Sequence, residues 1–500
     1  MTAATSGARL ARAVGAGDWT AVQEVLRSSW THLVQSEPAG LLDALERMPE
    51  EVMDRSPRLR IAMVQLGRAL HGDAWIDPAP GRRPLPLPMG PADRISVWAA
   101  RGSAARATGR LDEAFRLMES GQDLLRSLSP IEEASLSAGL PDILQEWALT
   151  CEQDSRLEDA LALHLSAHEW AAVIGHRAMT AATAGSAAYL HAVAGRNGSA
   201  AAWLARIPDT EGILRAPGSD AARVLAEALL RIDHLDPEGA VSLLDGLDGA
   251  AAGERGPAVD FVRAFAAAGR PFSSHVVRRR VDATLAAAGP RSGRGRSDLL
   301  RAIHAFTGGP SEAGPIDDAR PIDDSVPLVA RIAAATEALA ANLRGDESTA
   351  RRLAGPLLDS GESPRVLITA LLASWAHPTR TLEEAAALAH AHSSFGVLGL
   401  LPADRRRRVA DELASLGDHD VARILRDSEA PRAPDLSPAH REIAFSAAQG
   451  ATLPDIAEER GVSVNTVKTQ LRTVYRRLGV RSRSELAAAL DGVRAPRSEA

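Results

Sequence analysis

The chain has 500 residues, room for about three domains, and its 45% hydrophobic content is enough to build folded interiors. Aromatic residues make up only 3% while alanine is abundant, a balance that favours packed helices over sheets and predicts an all-α protein. The single cysteine, Cys151, excludes an intramolecular disulfide and fits the reducing cytoplasm. The sequence has no run of about 18 apolar residues and no signal sequence, so we expect neither a membrane span nor secretion.

One turn pattern recurs through the first 428 residues. A helix ends in a short polar turn, and an alanine then opens the next helix. The pattern occurs at residues 17–21, 109–114, 155–160, 195–200, 237–240, 345–350 and 417–422. From Ala114 the steps to Ala160, Ala200 and Ala240 are 46, 40 and 40 residues. Such self-similarity predicts stacked helical hairpins.

One of these units resembles a tetratricopeptide repeat. Trp98, Gly102 and Ala114 stand where that repeat has a bulky residue, a small one, and a small one in the following helix. The other units keep only the alanines, so we expect a degenerate TPR-like array. The alternative is a helical domain without internal repeats.

Proline and glycine divide the chain into segments. A proline-rich break spans residues 77–91, and residues 289–327 are rich in Gly, Pro, Asp and Arg, with Pro-Ile-Asp-Asp at 315–318 and again at 321–324. We therefore expect a helical-repeat lobe over 1–288, a connection over 289–327 and a second helical lobe over 328–428. A short linker over 429–435, containing Pro431 and Pro434, then leads to a C-terminal domain over 436–500.

The body shows no pattern typical of catalysis. A phosphate-binding loop needs a lysine after its glycines, and the one lysine of the chain is Lys468 in the tail. The alternation of strands and helices that a receiver domain requires is also missing. His390 and His392 are two apart and do not share a helical face, so they do not predict a metal site. We expect no enzyme activity, no cofactor and no metal.

Charge separates the tail from the body. From Leu436 to Ala500 there are ten Lys and Arg against seven Asp and Glu, a balance of +3, so the net charge of −7 leaves −10 for the preceding residues. Residues 460–484 hold seven cationic side chains and no acidic one. An acidic body with a basic tail is typical of a protein that carries a nucleic-acid-binding module.

Two predicted helices in the tail form a helix-turn-helix pattern. The first runs roughly over 453–460, with Thr452 and Asp455 as a capping box, and Gly461 supplies the turn. The second spans 463–478, from an N-cap at Ser463 to a terminator at Gly479. Its apolar residues predict one buried stripe: Val464, Val467, Leu471, Val474 and Leu478. The opposite face carries the donors and cations Asn465, Lys468, Thr469, Arg472 and Arg476.

The runs Asn-Thr-Val-Lys-Thr at 465–469 and Tyr-Arg-Arg-Leu-Gly-Val-Arg-Ser-Arg at 475–483 are close to a known signature. Through them, residues 436–493 resemble the LuxR-type (NarL/FixJ-type) helix-turn-helix domain. The resemblance implies four helices, of which the third reads DNA and the fourth dimerises. It places Lys468, Thr469 and Arg472 at base edges, and Asn465, Thr466 and Arg476 nearer phosphates.

Two parts of the tail leave alternatives open. The fourth helix begins at Ser482, and its apolar residues Leu486, Leu490 and Val493 fit either the domain core or a two-fold partner. In the first helix, Ala439 and His440 replace the Arg-Glu pair usual in the family, which implies an altered polar network there.

The body also has a weaker resemblance. Residues 41–72 and 398–422 are similar to helical arrays of the large, maltose-regulator-like LuxR regulators, but the ATPase domain of that group is missing here. We therefore expect a cytoplasmic, nucleoid-associated bacterial transcription regulator that binds double-stranded DNA as a homodimer. Its body would respond to an unknown small-molecule or protein effector. The alternatives are a constitutive DNA-binding protein whose body only oligomerises, and a TPR-like interaction scaffold.

Overall fold

The chain is all-α throughout the part that the computed structural model describes. That part comprises residues 3–71, 89–214, 218–247, 251–267, 327–343, 345–359, 363–374, 378–427, 438–448 and 450–478, together with residues 480, 483 and 486. These ranges contain 24 α-helices and no β-strand, which confirms the predicted fold class. Most of the proline-rich break, the connection predicted over 289–327 apart from Pro327, and the whole 429–435 linker lie outside them.

Contacts group the chain into two compact units. Within the described ranges, the first holds residues up to 227 and residues 243–256, and the second holds 228–242 and the residues from 257 onward. The described unit boundaries fall within three helices: α13, α14 and, after its first residue Gly256, the helix that follows them. The helices up to this point are α1 (Ala3–Ala16), α2 (Trp19–Ser36), α3 (Pro38–Glu46), α4 (Glu50–Asp54), α5 (Pro57–His71), α6 (Pro91–Ala107), α7 (Leu111–Arg126), α8 (Pro130–Leu136), α9 (Leu140–Gln153), α10 (Leu157–Val173), α11 (Arg177–Val193), α12 (Asn197–Leu204), α13 (Ala221–Asp233) and α14 (Pro237–Leu244).

The second unit continues the succession of helices. Its body part contains α15 (Gly256–Ala267), α16 (Leu328–Leu343), α17 (Glu347–Leu358), α18 (Pro364–Ala373), α19 (Pro378–His392), α20 (Ala403–Ser415) and α21 (His419–Asp427). In each unit a helix packs on its successor and also on a later helix, as α6 packs on α7 and α9, and α16 on α17 and α18. Nearest-neighbour packing of this kind is typical of stacked helical hairpins.

The recurring turn has one backbone geometry at all seven positions. Its first residue has a positive φ: Gly17, Gly109, Ser155, Gly195, Leu235, Gly345 and Gly417. The N–H of the next residue donates to the carbonyl five residues before it, as Arg110 does to Ala105 and Asp346 to Ala341. This pattern ends one helix and starts the next without a free helix end.

The alanine that follows the turn is buried at six of the seven positions. Ala114, Ala160, Ala200, Ala240, Ala350 and Ala422 are all at most 1% exposed. The first turn corrects the predicted alignment. Five residues after Gly17 stands Val22, which is 0% exposed, whereas Ala21 is only half-buried.

Three arginines buried in the body have carboxylate partners. In the first unit, Arg106 lies 2.6 Å from both Glu146 and Glu254, and Arg255 lies 2.7 Å from Glu152. In the second unit, an Arg365 nitrogen lies 2.7 Å from an Asp233 oxygen. Low dielectric makes an unpaired charge costly, and each of these three arginines has its carboxylate partner within its own unit.

Cys151 is buried too, with its Sγ 3.8 Å from Sδ of Met118. Burial raises the pKa of its thiol to about 12, so the thiol is unreactive at neutral pH.

Candidate nucleic-acid interface

Three helices near the C-terminus enclose a small core of their own. They are α22 (Pro438–Ala448), α23 (Leu453–Glu459) and α24 (Val464–Leu478). α24 packs on both α22 and α23. Every buried residue of this core lies in the C-terminal segment: Ile443, Ala444, Ala447, Ile456, Ala457, Val467, Leu471, Val474, Val480 and Leu486.

α23 begins at the capping box that the sequence predicts. The Asp455 N–H donates to Oγ1 of Thr452 at 3.3 Å, and the Thr452 N–H donates to Oδ2 of Asp455 at 2.9 Å. Hydrogen bonds from the Thr452 side chain and backbone lower the pKa of the Asp455 carboxyl. Two of the amides that a helix start leaves unbonded are thereby satisfied.

The turn between α23 and α24 depends on Gly461. Its φ is +64°, a conformation in which glycine avoids the steric cost that other residues meet. The N–H of Val462 then donates to the carbonyl of Ala457 at 3.0 Å, closing α23. Ala457 is 5% exposed and Val467 is 0% exposed, so a small residue and a valine pack together in the core between the two helices, as a helix-turn-helix requires.

Ser463 caps α24. Its Oγ accepts the N–H of Thr466 at 3.1 Å and lies 2.8 Å from Oγ1 of Thr466. The Thr466 side chain is thus held at the start of the helix, where the backbone amides and the helix dipole favour a phosphate oxygen.

The outer face of α24 is polar and open to solvent. Asn465, Thr466, Lys468, Thr469 and Arg472 are all exposed. Among the described residues, Lys468 and Arg472 form no ion pair, whereas Arg106, Arg255 and Arg365 inside the body do. The Thr469 hydroxyl donates to the carbonyl of Asn465 at 2.9 Å, so its proton is already engaged within the helix.

The first helix of the domain is fixed to the turn by charge. Nη1 of Arg460 lies 2.6 Å from Oε2 of Glu442, which joins the end of α23 to α22. We expected an altered polar network in this helix because Ala439 and His440 replace the usual pair. The ion pair from Glu442 supplies one cross-link, and Ile443, Ala444 and Ala447 dock fully.

The predicted buried stripe of α24 is wrong at one position. Val467, Leu471 and Val474 are at most 6% exposed, but Val464 is 44% exposed. Val464 is the first residue of the helix, so α22 and α23 do not reach over it. The spacing of apolar residues could not predict this exposure. It defines which face of the helix is buried, but not how far along that face the neighbouring helices extend.

Some predicted site residues lie outside the described part. Nothing is described of the side chains of Arg476 and Leu478, nor of Gly479, Ser482, Leu490 and Val493. Leu486, predicted for either the core or a two-fold partner, is 0% exposed within the domain core. The dimer surface predicted on the fourth helix therefore rests on Leu490 and Val493.

Comparison with known proteins agrees with this geometry. Residues 434–490 match the family described as bacterial regulatory proteins, luxR family. The chain carries a LuxR-type helix-turn-helix domain. This domain supports a DNA-binding transcription regulator. No curated protein and no solved structure matches the chain.

Two features are absent from the described residues. No helix there is long and apolar enough to cross a membrane. Within the same residues, no group of three or more His, Cys, Asp or Glu side chains is arranged to hold a metal ion.

Proposed function

We propose that this LuxR-type regulator inserts α24 into the DNA major groove and reads base edges with Lys468, Thr469 and Arg472. The observation that carries the proposal is the exposed outer face of α24. Ser463 caps this helix, and the Gly461 turn joins it to α23, which begins at its own capping box. Lys and Arg suit the O6 and N7 acceptors of guanine, and a threonine methyl suits that of thymine.

Phosphate contacts would fix the register. Asn465 and Thr466 lie at the start of α24, where the backbone amides point outward, and Arg476 follows one turn after Arg472. Contacts to phosphates carry no sequence information, but they position the helix and make binding depend on salt.

The test is a selection from random duplexes by the full-length protein, followed by affinity measurements on the selected operator and a scrambled duplex at two salt concentrations. We expect the operator to bind at least about 1000-fold more tightly, and both affinities to fall with salt. Equal affinities for the two duplexes would contradict the proposal.

The regulator would bind its operator as a homodimer. The support is the family resemblance, which places a two-fold contact on the fourth helix, where Leu490 and Val493 are the remaining apolar candidates. A two-fold dimer requires half-sites related by the same symmetry. Sedimentation of the operator complex should show two chains per duplex, and one chain per duplex would refute the dimer.

The body would sense or dock an effector. Its support is the size of the helical array and the proline-containing linker at 429–435 before the domain. A ligand that binds one arrangement of the body better would shift the population toward a DNA-binding pair. The same assignment would place the protein in the bacterial cytoplasm, at the nucleoid.

Removal of the body tests this regulation. Because the C-terminal core contains only residues from 443 to 486, we expect a fragment starting at Glu429 to fold, which circular dichroism would verify. A change in operator affinity relative to the full chain supports regulation by the body. Equal affinities favour the constitutive alternative, in which the body only oligomerises.

A further inference from the structure

Val464 is an exposed apolar side chain beside the polar face of α24. It is 44% exposed at the first position of the helix. Residues four apart lie one above the other on a helix, so Val464 precedes Lys468 by one turn and Arg472 by two. An apolar group thus extends the line of the two unpaired cations toward the N-terminal end.

The stability of the domain does not explain a valine here. The side chain is not part of the domain core, and 44% of its surface stays exposed. A β-branched residue is also a weak helix former compared with the alanine so common in this chain. The capping of α24 rests on Ser463 and Thr466, with no part for Val464.

The position of Val464 matters for DNA recognition. In a helix-turn-helix protein, the N-terminal residues of the second helix contact base edges. The major groove offers one apolar group at these edges, the C5 methyl of thymine, and a small apolar side chain is suited to it.

From these observations we propose that Val464 is a specificity-determining residue, which selects thymine at one position of each half-site by packing against its C5 methyl group. The inference rests on the proposed docking of α24 in the major groove, and it adds a contact beyond Lys468, Thr469 and Arg472. The preferred operator would carry a thymine next to the base read by Lys468.

The experiment removes single methyl groups from the operator. Each thymine of the selected operator is replaced in turn by uracil, which pairs identically but lacks the methyl. Affinity is measured for the full-length wild type and for Val464→Ala. Burying one methyl is worth about 0.8 kcal/mol, or about fourfold in affinity. Uracil at one position per half-site should lower the operator affinity of the wild type by about that factor, and it should leave the affinity of Val464→Ala unchanged.

Val462 provides a matched control. It is 40% exposed, but it lies in the turn and not on the line of Lys468 and Arg472. Val462→Ala should reproduce every uracil effect of the wild type. A thymine read by Thr469 should stay sensitive in Val464→Ala, which shows that the variant still docks.

The outcomes distinguish failure of the Val464 inference from failure of the proposed function. If the wild type distinguishes operator from scrambled DNA, but all uracil effects are equal in the wild type and Val464→Ala, the inference about Val464 is wrong and the proposed function stands. If the wild type does not distinguish the two duplexes, the proposed function itself fails.

Discussion

The cations of the body and those of α24 are placed in opposite ways. Inside the body, Arg365 is 1% exposed and meets Asp233, and Arg106 is likewise 1% exposed between two glutamates. On α24, Lys468 and Arg472 are exposed, and neither has a carboxylate partner among the described residues. Buried arginines need partners within the fold, whereas the exposed cations are available to an external anion.

This difference separates charges that are paired inside the fold from charges that are available for binding. A net-charge count treats all cations alike, although a buried ion pair contributes no field outside the protein. Only cations that the fold leaves unpaired can neutralise DNA phosphates or reach guanine. We therefore expect changes in the body cations to alter stability, and changes in the α24 cations to alter DNA binding.

The largest effect should follow removal of a buried body cation. Arg365→Ala strands Asp233, which is 0% exposed, and should lower the free energy of unfolding by about 3–5 kcal/mol. Urea denaturation followed by circular dichroism measures the loss. Arg27→Ala, which breaks an exposed pair with Glu24, is the control and should leave the unfolding free energy unchanged. An equal loss of unfolding free energy in both variants would contradict the distinction between buried and exposed charges.

Acid should weaken the buried pairs of the first unit. Burial alone would raise the pKa of Glu152, but the charge of Arg255 and a hydrogen bond with His164 outweigh it and lower the pKa from 4.5 to about 2. A carboxyl with a lowered pKa stabilises the fold above pH 4.5, and this contribution disappears as the pH falls toward 2.

The Glu152→Gln variant isolates this contribution. The wild type should be more stable at pH 7, and the difference in unfolding free energy should shrink between pH 4.5 and pH 2. Urea titrations at several pH values measure it. A difference that stays constant over this range would show that Glu152 does not titrate as assigned.

Removal of an α24 cation should change recognition and not stability. Lys468→Ala or Arg472→Ala should each reduce discrimination between operator and scrambled DNA by about 1–3 kcal/mol. Arg476→Ala should lower the affinity for both duplexes by the same factor and make that affinity less dependent on salt. Arg408→Ala, an exposed cation of the body, is the control and should bind as the wild type does. A comparable loss of discrimination in Arg408→Ala would show that the effect is not local to α24.

The smallest effect concerns the turn that presents α24. A Cβ at Gly461 meets no atom within 4 Å, so Gly461→Ala should cost only the backbone strain of φ +64°, about 1 kcal/mol. Gly15, a helical glycine with equally open surroundings, is the control, and Gly15→Ala should gain about 0.5 kcal/mol. Thermal unfolding compares them, and effects of the same sign would contradict the assigned turn.

Local features of the C-terminal domain could be predicted from its sequence. The Thr452–Asp455 box, the Ser463 cap and the Gly461 turn each depend on residues within four positions of one another, so their types and spacing are sufficient. The exposure of Val464 depends instead on where neighbouring helices end. The recurrence of apolar residues every three or four positions could not predict it.

The body shows the same limit over longer distances. The turn glycines and buried alanines could be predicted because each turn is complete within about ten residues. The pairing of Arg106 with Glu254 joins residues 148 apart, and that of Arg365 with Asp233 joins residues 132 apart. Such pairs depend on how helices stack, and no local pattern marks them.

The most direct test of the central claim is protection of guanine N7 from methylation, because this atom lies in the major groove. The full-length wild type, bound to its selected operator, should protect specific guanines. Lys468→Ala and Arg472→Ala, at concentrations that still saturate the duplex, should each lose protection at a different one. A bound wild type that protects no guanine, or a pattern that both variants leave unchanged, would contradict the docking of α24 in the groove.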